Sequence, residues 1–193
     1  MRGIAGLITA AFSLAMLAPS IALADSAAPV IPDVEVLDET GTSHRFYSDL
    51  IKGKTVAINF VYTACASSCP ASAALFNGVQ HRLRTQPERA VSLLSVSIDP
   101  TTDRPAQLQA YAEKFGRGAG WTFVTGSKRE IDRLLAAFGL TASDKVDHPA
   151  LIVVGNDASG VWTRLYGQAS VPMVMEALAA ASAVPASAAS PLP

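Results

Sequence analysis

Residues 56–72 read VAINFVYTACASSCPAS, and this stretch decides the predicted fold. Its first seven residues are nearly all apolar and rich in β-branched side chains, which is typical of a parallel strand covered on both faces. Pro70 suits the first turn of a helix, and apolar residues then recur at helical spacing between positions 75 and 83. Cys65 and Cys69 therefore lie between the carboxyl end of a strand and the amino end of a helix, where open α/β sheets usually place ligands.

Outward from this stretch, strand and helix patterns alternate. A run rich in Val, Leu and Ile over 90–98 follows the helix, so the chain forms a βαβ unit with parallel strands and a right-handed crossover. The other predicted elements are a hairpin over 34–47 with Gly41 at its turn, a connector over 49–53, a helix over 103–116, a short strand over 121–124, a helix over 127–139, a hairpin over 150–166 and a helix from 170. This order predicts an α/β, thioredoxin-like fold, three-layer α/β/α with a mixed sheet and an added N-terminal β-hairpin.

Two helices carry recognisable start signals. Residues 127–130 read SKRE, a capping box in which the Ser127 hydroxyl and the Glu130 carboxylate satisfy free N–H groups. Ser170 is expected to be the N-terminal cap of the last helix. Four side chains of that helix are predicted to face the core: Met173, Val174, Ala177 and Leu178.

The first 24 residues have the pattern of a secretory signal peptide. Arg2 is the charged start, residues 4–17 form an apolar core, and Ala-Leu-Ala at 22–24 fits a cleavage signal. The alternative is an uncleaved membrane anchor formed by residues 4–18. Export predicts a periplasmic location, an oxidising compartment in which two cysteines form a disulfide bond unless something uses the thiols.

Composition limits the domain organisation and the partners. The chain has 193 residues, which leaves room for one ordinary domain after the signal peptide. We expect a flexible lead-in over 25–32, one domain over 33–181 and a disordered tail rich in Ala, Ser and Pro over 182–193. The formal net charge is −1 and no basic cluster occurs, which argues against nucleic acid as a partner.

The two cysteines are the residues best suited to chemistry. Cys65 and Cys69 are four positions apart, so a helical turn would bring both sulfurs to one face. A helix amino terminus favours the thiolate, which is the form that attacks disulfides or binds metal. A structural disulfide and a buried unpaired pair remain alternatives. Thioredoxin-type redox sites space their cysteines by two residues, and the extra residue here suits a pair that opens around a soft ion such as copper(I) or zinc.

A histidine is a common third ligand of such ions, and the chain has three. His44 on the first hairpin and His81 on the polar side of a helix are expected to be ordinary surface residues. His148 lies in the loop immediately before the strand at 150, and in a thioredoxin-like layout that loop faces the cysteine turn. His148 is therefore the candidate third ligand, as a hypothesis about geometry.

Asp99 and Asp103 flank the start of the helix predicted from 103. A turn before Pro100 and a helix cap are structural roles that suit them. The alternative is that they orient a ligand of the candidate ion.

These motifs, together with SVSIDPTTDRPAQLQAYAEKFG, WTFVTG and DHPALIVVGNDASG, resemble the Sco/SenC family over about residues 32–178. That family comprises copper-binding, thioredoxin-like proteins linked to assembly of the binuclear copper site of cytochrome c oxidase. The cysteine pair, the Ile-Asp-Pro segment and the Asp-His element occur in the family's order. The resemblance implies that Cys65, Cys69 and His148 are copper ligands and that Asp99 and Asp147 lie near the site without binding directly.

The chain departs from the family pattern around these residues. The family usually has a proline and an acidic residue after the first cysteine, where Ala66 and Ser67 stand here. The loop thereby loses a rigid φ and a negative charge, which would weaken metal affinity or change the redox poise. Pro149 is also unusual after the histidine, and a cis bond between His148 and Pro149 would aim the imidazole differently.

Two functions follow from this site, and peroxide reduction is a third interpretation for which the sequence shows no separate signature. The first is a periplasmic metallochaperone that takes up about one copper ion per chain and hands it to an oxidase copper-site subunit, another exported cuproprotein or another copper chaperone. Contact with a membrane is then expected only through the client. The second is a thiol-disulfide oxidoreductase that keeps client cysteines reduced, in which Cys65 attacks and Cys69 resolves.

Overall fold

The structure is a computed structural model, and it describes residues 28–65, 68–86, 90–141 and 150–183. Some of the predictions above concern residues outside these ranges: the signal peptide and anchor segment, Ala66, Ser67, Asp147, His148, Pro149, and the tail from 184 onward.

Seven strands form one mixed sheet with helices between them. The strands are β1 (Glu35–Asp38), β2 (Ser43–Arg45), β3 (Thr55–Val61), β4 (Val91–Ser97), β5 (Trp121–Thr125), β6 (Leu151–Asn156) and β7 (Val161–Tyr166). The helices are α1 (Ser68–Leu83), α2 (Pro105–Lys114), α3 (Lys128–Ala137) and α4 (Val171–Ser182). The strand order is β2-β1-β5-β4-β3-β6-β7.

Strand β3 lies inside this sheet, and all seven of its residues are buried. It pairs parallel with β4 on one side and antiparallel with β6 on the other. The predicted βαβ unit and its parallel strands are confirmed. The loop that carries the cysteines therefore leaves the sheet from an interior strand whose two neighbours hold it on both sides.

Side chains of β3 point alternately into two hydrophobic cores. Val56, Ile58 and Phe60 pack in the core that α3 covers. Ala57 and Val61 pack in the core that α1, α2 and α4 cover, and that second core also contains both cysteines. The sheet thus lies between two helical layers, as predicted, and period-two alternation assigns each β3 residue to one of them.

The N-terminal hairpin is present but shorter than predicted. β2 ends at Arg45, and Phe46–Ile51 forms a π-helical turn where the sequence predicts a strand through Tyr47 and a connector from 49. The Asp33 carboxylate accepts hydrogen bonds from the backbone N–H groups of Tyr47 and Ser48, at 3.1 and 3.0 Å. The Asp33 carboxylate thus offers these backbone groups hydrogen bonds in place of those that pair β2 with β1. The chain therefore turns away from β1 after Arg45.

The last helix differs from the prediction at one residue. Val174, Ala177 and Leu178 are fully buried, as predicted. Met173 is 44% exposed, so its predicted inward position is wrong. The buried stripe of α4 continues to Ala181, and Met173 lies about 100° around the helix from Val174, on the flank of that stripe.

Within the described ranges, no helix combines the length and the apolar character needed to cross a membrane.

Candidate functional site

The structure brings the two cysteines together. Cys65 lies four residues after the end of β3, and its N–H donates to the carbonyl of Tyr62 at 3.1 Å. Cys69 lies in the first turn of α1, and its N–H donates to the Cys65 sulfur at 3.4 Å. No disulfide joins the two cysteines in the structure, and their side chains are 7% and 4% exposed. The predicted juxtaposition at the carboxyl end of a strand and the amino end of a helix is therefore present.

Burial decides the protonation of Cys69. Removal from water, with a further contribution from the hydrogen bond to Cys65, raises the pKa of the Cys69 thiol to about 12, although the backbone of Tyr62 and the side chain of Ser68 oppose the shift. The sequence led us to expect a thiolate at this helix end, and for Cys69 that expectation is not met because burial outweighs the helix end. Cys69 is therefore a neutral thiol near pH 7, whereas metal binding and attack on a disulfide both require the thiolate.

Two tyrosines accompany the cysteines, and the sequence analysis identified neither of them as part of the site. The hydrogen bond of Tyr62 with Cys65 is the main cause that raises the pKa of Tyr62. Tyr111, on α2, belongs to the same core as the cysteines. Burial, and then the negative charge that the two cysteines and Asp103 can carry, raise the pKa of Tyr111. Its hydroxyl is buried and has no hydrogen-bond partner among the described residues.

Asp99 and Asp103 follow β4 on the same edge of the sheet. The Asp99 carbonyl accepts hydrogen bonds from the N–H groups of Thr102 and Asp103, so the predicted turn is present. The negative charge of Asp99 contributes to the raised pKa of Tyr62. Asp103 does not cap α2, contrary to the prediction, because Arg104 occupies the cap position and the Asp103 carboxylate is directed to Thr63 instead.

A buried polar chain anchors α1 to the sheet. The side-chain N–H of Asn59, in β3, donates to the Ser72 hydroxyl of α1 at 2.9 Å, and its carbonyl oxygen accepts from the Ser95 hydroxyl at 2.6 Å. The indole N–H of Trp121 donates to the same Ser95 oxygen at 2.9 Å. Ser72 lies three residues after Cys69, so these bonds fix the helical turn that carries Cys69. The sequence signal that could have revealed this chain of hydrogen bonds is an Asn within an otherwise apolar strand pattern.

Of the two histidines expected at the surface, His81 follows the prediction and His44 follows it only in part. His81 is exposed and its ring hydrogen-bonds the carbonyl of Asn77 at 2.9 Å. His44 is partly buried, since its ring hydrogen-bonds the Asp38 carboxylate at 2.9 Å in the first hairpin. The described residues contain no cluster of three or more Cys, His, Asp or Glu side chains suited to a metal ion. His148 lies outside them, so the third ligand stays a prediction.

A groove opens beside the first turns of α1. Its volume is about 480 Å³, and the side chains of the described residues that line it are uncharged. The lining residues come from α1, from the start of β6 and from the loop between β7 and α4: Ser68, Ala71, Ser72, Leu75, Ala150, Ile152, Gly167, Gln168 and Ala169. Ser68 and Ser72 place this uncharged groove next to the cysteine turn.

Comparison with known proteins gives consistent relatives. The family model described as SCO1/SenC matches residues 24–182. A protein of Stutzerimonas stutzeri named "Putative copper-binding protein" is 28% identical over 157 residues, which cover 77% of this chain and 72% of the relative. The "SCO1 protein homolog" of Bacillus subtilis is 32% identical over 84 residues, covering 42% of this chain and 43% of the relative.

Solved structures share the fold. BsSco, described as a member of the Sco family of cytochrome c oxidase assembly proteins, aligns with a TM-score of 0.68 at 22% identity and covers 82% of this chain and 96% of its own. Yeast Sco1 with copper bound aligns with a TM-score of 0.64 at 20% identity, covering 83% and 95%. At these identities the likeness concerns the fold, and it confirms the thioredoxin-like architecture predicted from the element order.

Proposed function

Since the chain belongs to the SCO1/SenC family, we propose that it is a copper chaperone, exported to the periplasm, that carries about one copper ion per molecule. Its cargo would be delivered to the copper-site subunit of an oxidase, to another exported cuproprotein or to another copper chaperone. Copper is here the substrate that the protein takes up and hands on.

The observation that carries this proposal is the placement of the chain's two cysteines. Both lie at one end of an interior strand, and the Cys69 N–H is 3.4 Å from the Cys65 sulfur. Sulfur ligands select soft ions, and copper(I) is the softest ion commonly carried by proteins. The Stutzerimonas relative, named for copper binding, supports the choice of copper over zinc.

His148 is proposed as the third ligand, on the strength of the family resemblance and its position before the strand that pairs with β3. An imidazole nitrogen completes a donor set with two sulfurs. Asp99 and Asp147 are proposed as neighbours that influence the ligands without binding the ion. Cys69 is protonated before loading, so uptake of copper must release its proton.

The proposed client follows from the family context. BsSco, which has the same fold, is described as a member of the Sco family of cytochrome c oxidase assembly proteins, and a copper-site subunit is the part of such an oxidase that needs a copper donor. Export rests on the signal-peptide pattern of residues 1–24, and the anchor formed by 4–18 is its alternative. The domain is proposed to span residues 33–181, with the segments on either side outside it.

A thiol-disulfide oxidoreductase is the second candidate, favoured by the contact between the cysteines and by the uncharged groove beside them. The Cys65 thiolate would attack a client disulfide and form a mixed disulfide with release of one client thiolate. Cys69 would then attack Cys65, lose its proton and release the second client thiolate. The client gains two electrons, and the protein is left with a Cys65–Cys69 disulfide.

A copper titration tests the chaperone proposal. The reduced mature protein is titrated with copper(I) in competition with a chromophoric chelator, alongside His148→Ala and the control His81→Ala. We expect about one ion per chain for the parent and a loss of affinity of about tenfold or more for His148→Ala, since one of three ligands is removed. His81→Ala should match the parent because the His81 ring is exposed and bonds only within α1.

The outcomes separate the two functions. Stoichiometric copper binding that depends on His148 supports the chaperone. A parent protein that binds no copper but reduces a disulfide substrate overturns the chaperone and supports the oxidoreductase. Equal affinities of the parent and His148→Ala would remove His148 from the ligand set.

A further inference from the structure

The carboxylate of Asp103 is completely buried at the edge of the sheet where the cysteines lie. Four hydrogen bonds end on it. Oδ1 accepts from the Thr63 hydroxyl at 2.6 Å and the Thr63 N–H at 3.2 Å, while Oδ2 accepts from the same N–H at 3.1 Å and from the Ser97 hydroxyl at 2.7 Å. Asp103 therefore joins the end of β3 to the end of β4.

The bonds to Thr63 bear directly on the cysteine loop. Thr63 follows β3 and precedes Cys65 by two residues, and the bond from the Cys65 N–H to the Tyr62 carbonyl closes a turn around Thr63. With both its N–H and its hydroxyl held, Thr63 has little freedom to rotate. The direction in which the chain reaches Cys65 is thus set by a residue 38 positions further along, an anchor that no local pattern predicts.

A carboxylate is the group that these donors require. A backbone N–H and two hydroxyls converge on one buried point, and an ionised Asp offers two acceptor oxygens and no donor. An Asn would present an amide N–H₂ to at least one of these donors. Burying a carboxylate away from water is unfavourable unless its oxygens are hydrogen-bonded, and here the bonded groups are neutral.

Glu39 is the second carboxylate that makes a comparison possible. It is 3% exposed, pairs with Arg117 and accepts the N–H of Phe123 at 2.9 Å. That cluster ties the first hairpin to β5 and contains no cysteine-loop residue. Glu39 therefore serves the fold with a cationic partner, whereas Asp103 receives bonds from the loop that carries Cys65.

We propose that Asp103 is a positioning residue for the cysteine pair, which through Thr63 holds Cys65 at the distance from Cys69 that ion binding and disulfide closure both need. The inference rests on the proposed function in its copper part alone, because disulfide closure requires only the two cysteines. Thr63 is the intermediary, and Ser97 fixes the second carboxylate oxygen.

The test compares Asp103→Asn with Glu39→Gln, a matched carboxylate-to-amide change. Three quantities are measured on each: the melting temperature, the copper(I) affinity, and the equilibrium constant for the reaction of the Cys65–Cys69 disulfide with two glutathione thiols to give the dithiol and glutathione disulfide. Both variants should melt below the parent. Asp103→Asn alone should bind copper(I) about tenfold more weakly and shift the glutathione equilibrium towards the dithiol, because a loosened Cys65 closes the disulfide less readily.

Thr63 supplies a second pair of variants in case Asp103→Asn does not fold. Thr63→Val removes the hydroxyl and keeps the β-branched shape, while Thr63→Ser keeps the hydroxyl. The proposal expects Thr63→Val to shift the glutathione equilibrium in the same direction as Asp103→Asn, and Thr63→Ser to remain close to the parent.

The results that overturn the inference are distinct from those that overturn the function. Parent-like copper affinity and glutathione equilibrium in Asp103→Asn, or in Thr63→Val where the former does not fold, would reduce Asp103 to a purely structural residue. A parent that binds no copper refutes the chaperone, and the glutathione equilibrium then still decides the role of Asp103.

Discussion

The hydroxyl of Tyr111 is a buried polar group in the core that contains the cysteines, and no group in the described part of the chain hydrogen-bonds to it. An unsatisfied buried donor lowers stability, whereas removing it leaves the ring packing unchanged. We therefore expect Tyr111→Phe to keep or raise the free energy of unfolding, by up to about 1 kcal/mol. Chemical denaturation of the reduced protein measures this.

Tyr47 is the matched control for that substitution. Its hydroxyl donates to the Asp157 carboxylate at 2.9 Å and links the π-helical turn to the β6–β7 hairpin. Tyr47→Phe removes a bond to a charged acceptor and should lower the free energy of unfolding. A loss in Tyr111→Phe as large as that in Tyr47→Phe would contradict the assignment of an unpartnered hydroxyl at Tyr111.

At the scale of elements, the starts of α3 and α4 differ in a way that can be measured. The Ser127 hydroxyl accepts the N–H of Glu130 at 3.3 Å, so the hydroxyl half of the predicted capping box is present. The Glu130 carboxylate accepts from the Ser127 hydroxyl at 3.1 Å, where the prediction had it bond a backbone N–H. Ser170 occupies the cap position of α4 but makes no cap hydrogen bond through its side chain. Ser127→Ala should therefore lower the free energy of unfolding by about 1 kcal/mol, and Ser170→Ala by much less.

Thermal or urea unfolding of the two serine variants checks this difference. Both substitutions remove one hydroxyl at a helix start, so helix propensity and side-chain size cancel in the comparison. Equal losses would mean that the side-chain bond at α3 contributes nothing beyond the cap conformation.

The stability of the whole molecule should fall in acid because of Asp38. Burial alone would raise the pKa of Asp38, but hydrogen bonds from Thr40, His44 and Thr42 outweigh it and lower the pKa from 3.8 to about 2. Because the folded pKa lies below the unfolded value, the stabilisation is complete above 3.8 and is lost as the pH falls through about 2. The shift corresponds to about 2 kcal/mol.

Measuring the free energy of unfolding from pH 6 to pH 2 tests this prediction. Asp38→Asn should be less stable than the parent near neutral pH, and its stability should change less between pH 4 and pH 2. Asp132→Asn is the control, since Asp132 pairs with Lys128 in a solvent-exposed bridge on α3 that contributes little. Parallel pH profiles for the parent and Asp38→Asn would refute the assignment.

Much of the architecture could be predicted because its causes are local in the sequence. The apolar run of β3, the helical spacing after Pro70 and the Gly41 turn each depend on neighbouring residues, and all three elements form where predicted. The predictions went wrong where a distant side chain competed with the local pattern. Asp33 draws the chain out of β2, and Thr63 takes the Asp103 carboxylate that the helix start was expected to use.

The candidate site also combines one feature that the local sequence predicts with contacts that it does not predict. The spacing of Cys65 and Cys69 predicted that the two residues would lie together, and the Cys69 N–H does donate to the Cys65 sulfur, although Cys65 lies before the first residue of α1. The polar groups around them come from other elements: Asn59 from β3, Asp103 from the start of α2 and Tyr111 from within it. No periodicity signals such contacts.

By itself, the sequence determined the order of the strands and helices, the position of the cysteine pair at the end of β3, and the family to which the chain belongs. Hydrophobic spacing and turn residues act over a few positions, so they can be recognised in the sequence alone. The tertiary structure alone decided that Cys69 is a neutral, buried thiol and that Asp103 holds the turn before Cys65. Desolvation and the pairing of buried polar groups depend on which distant residues the fold brings into contact, and those neighbours exist only once the sheet and its helices have packed.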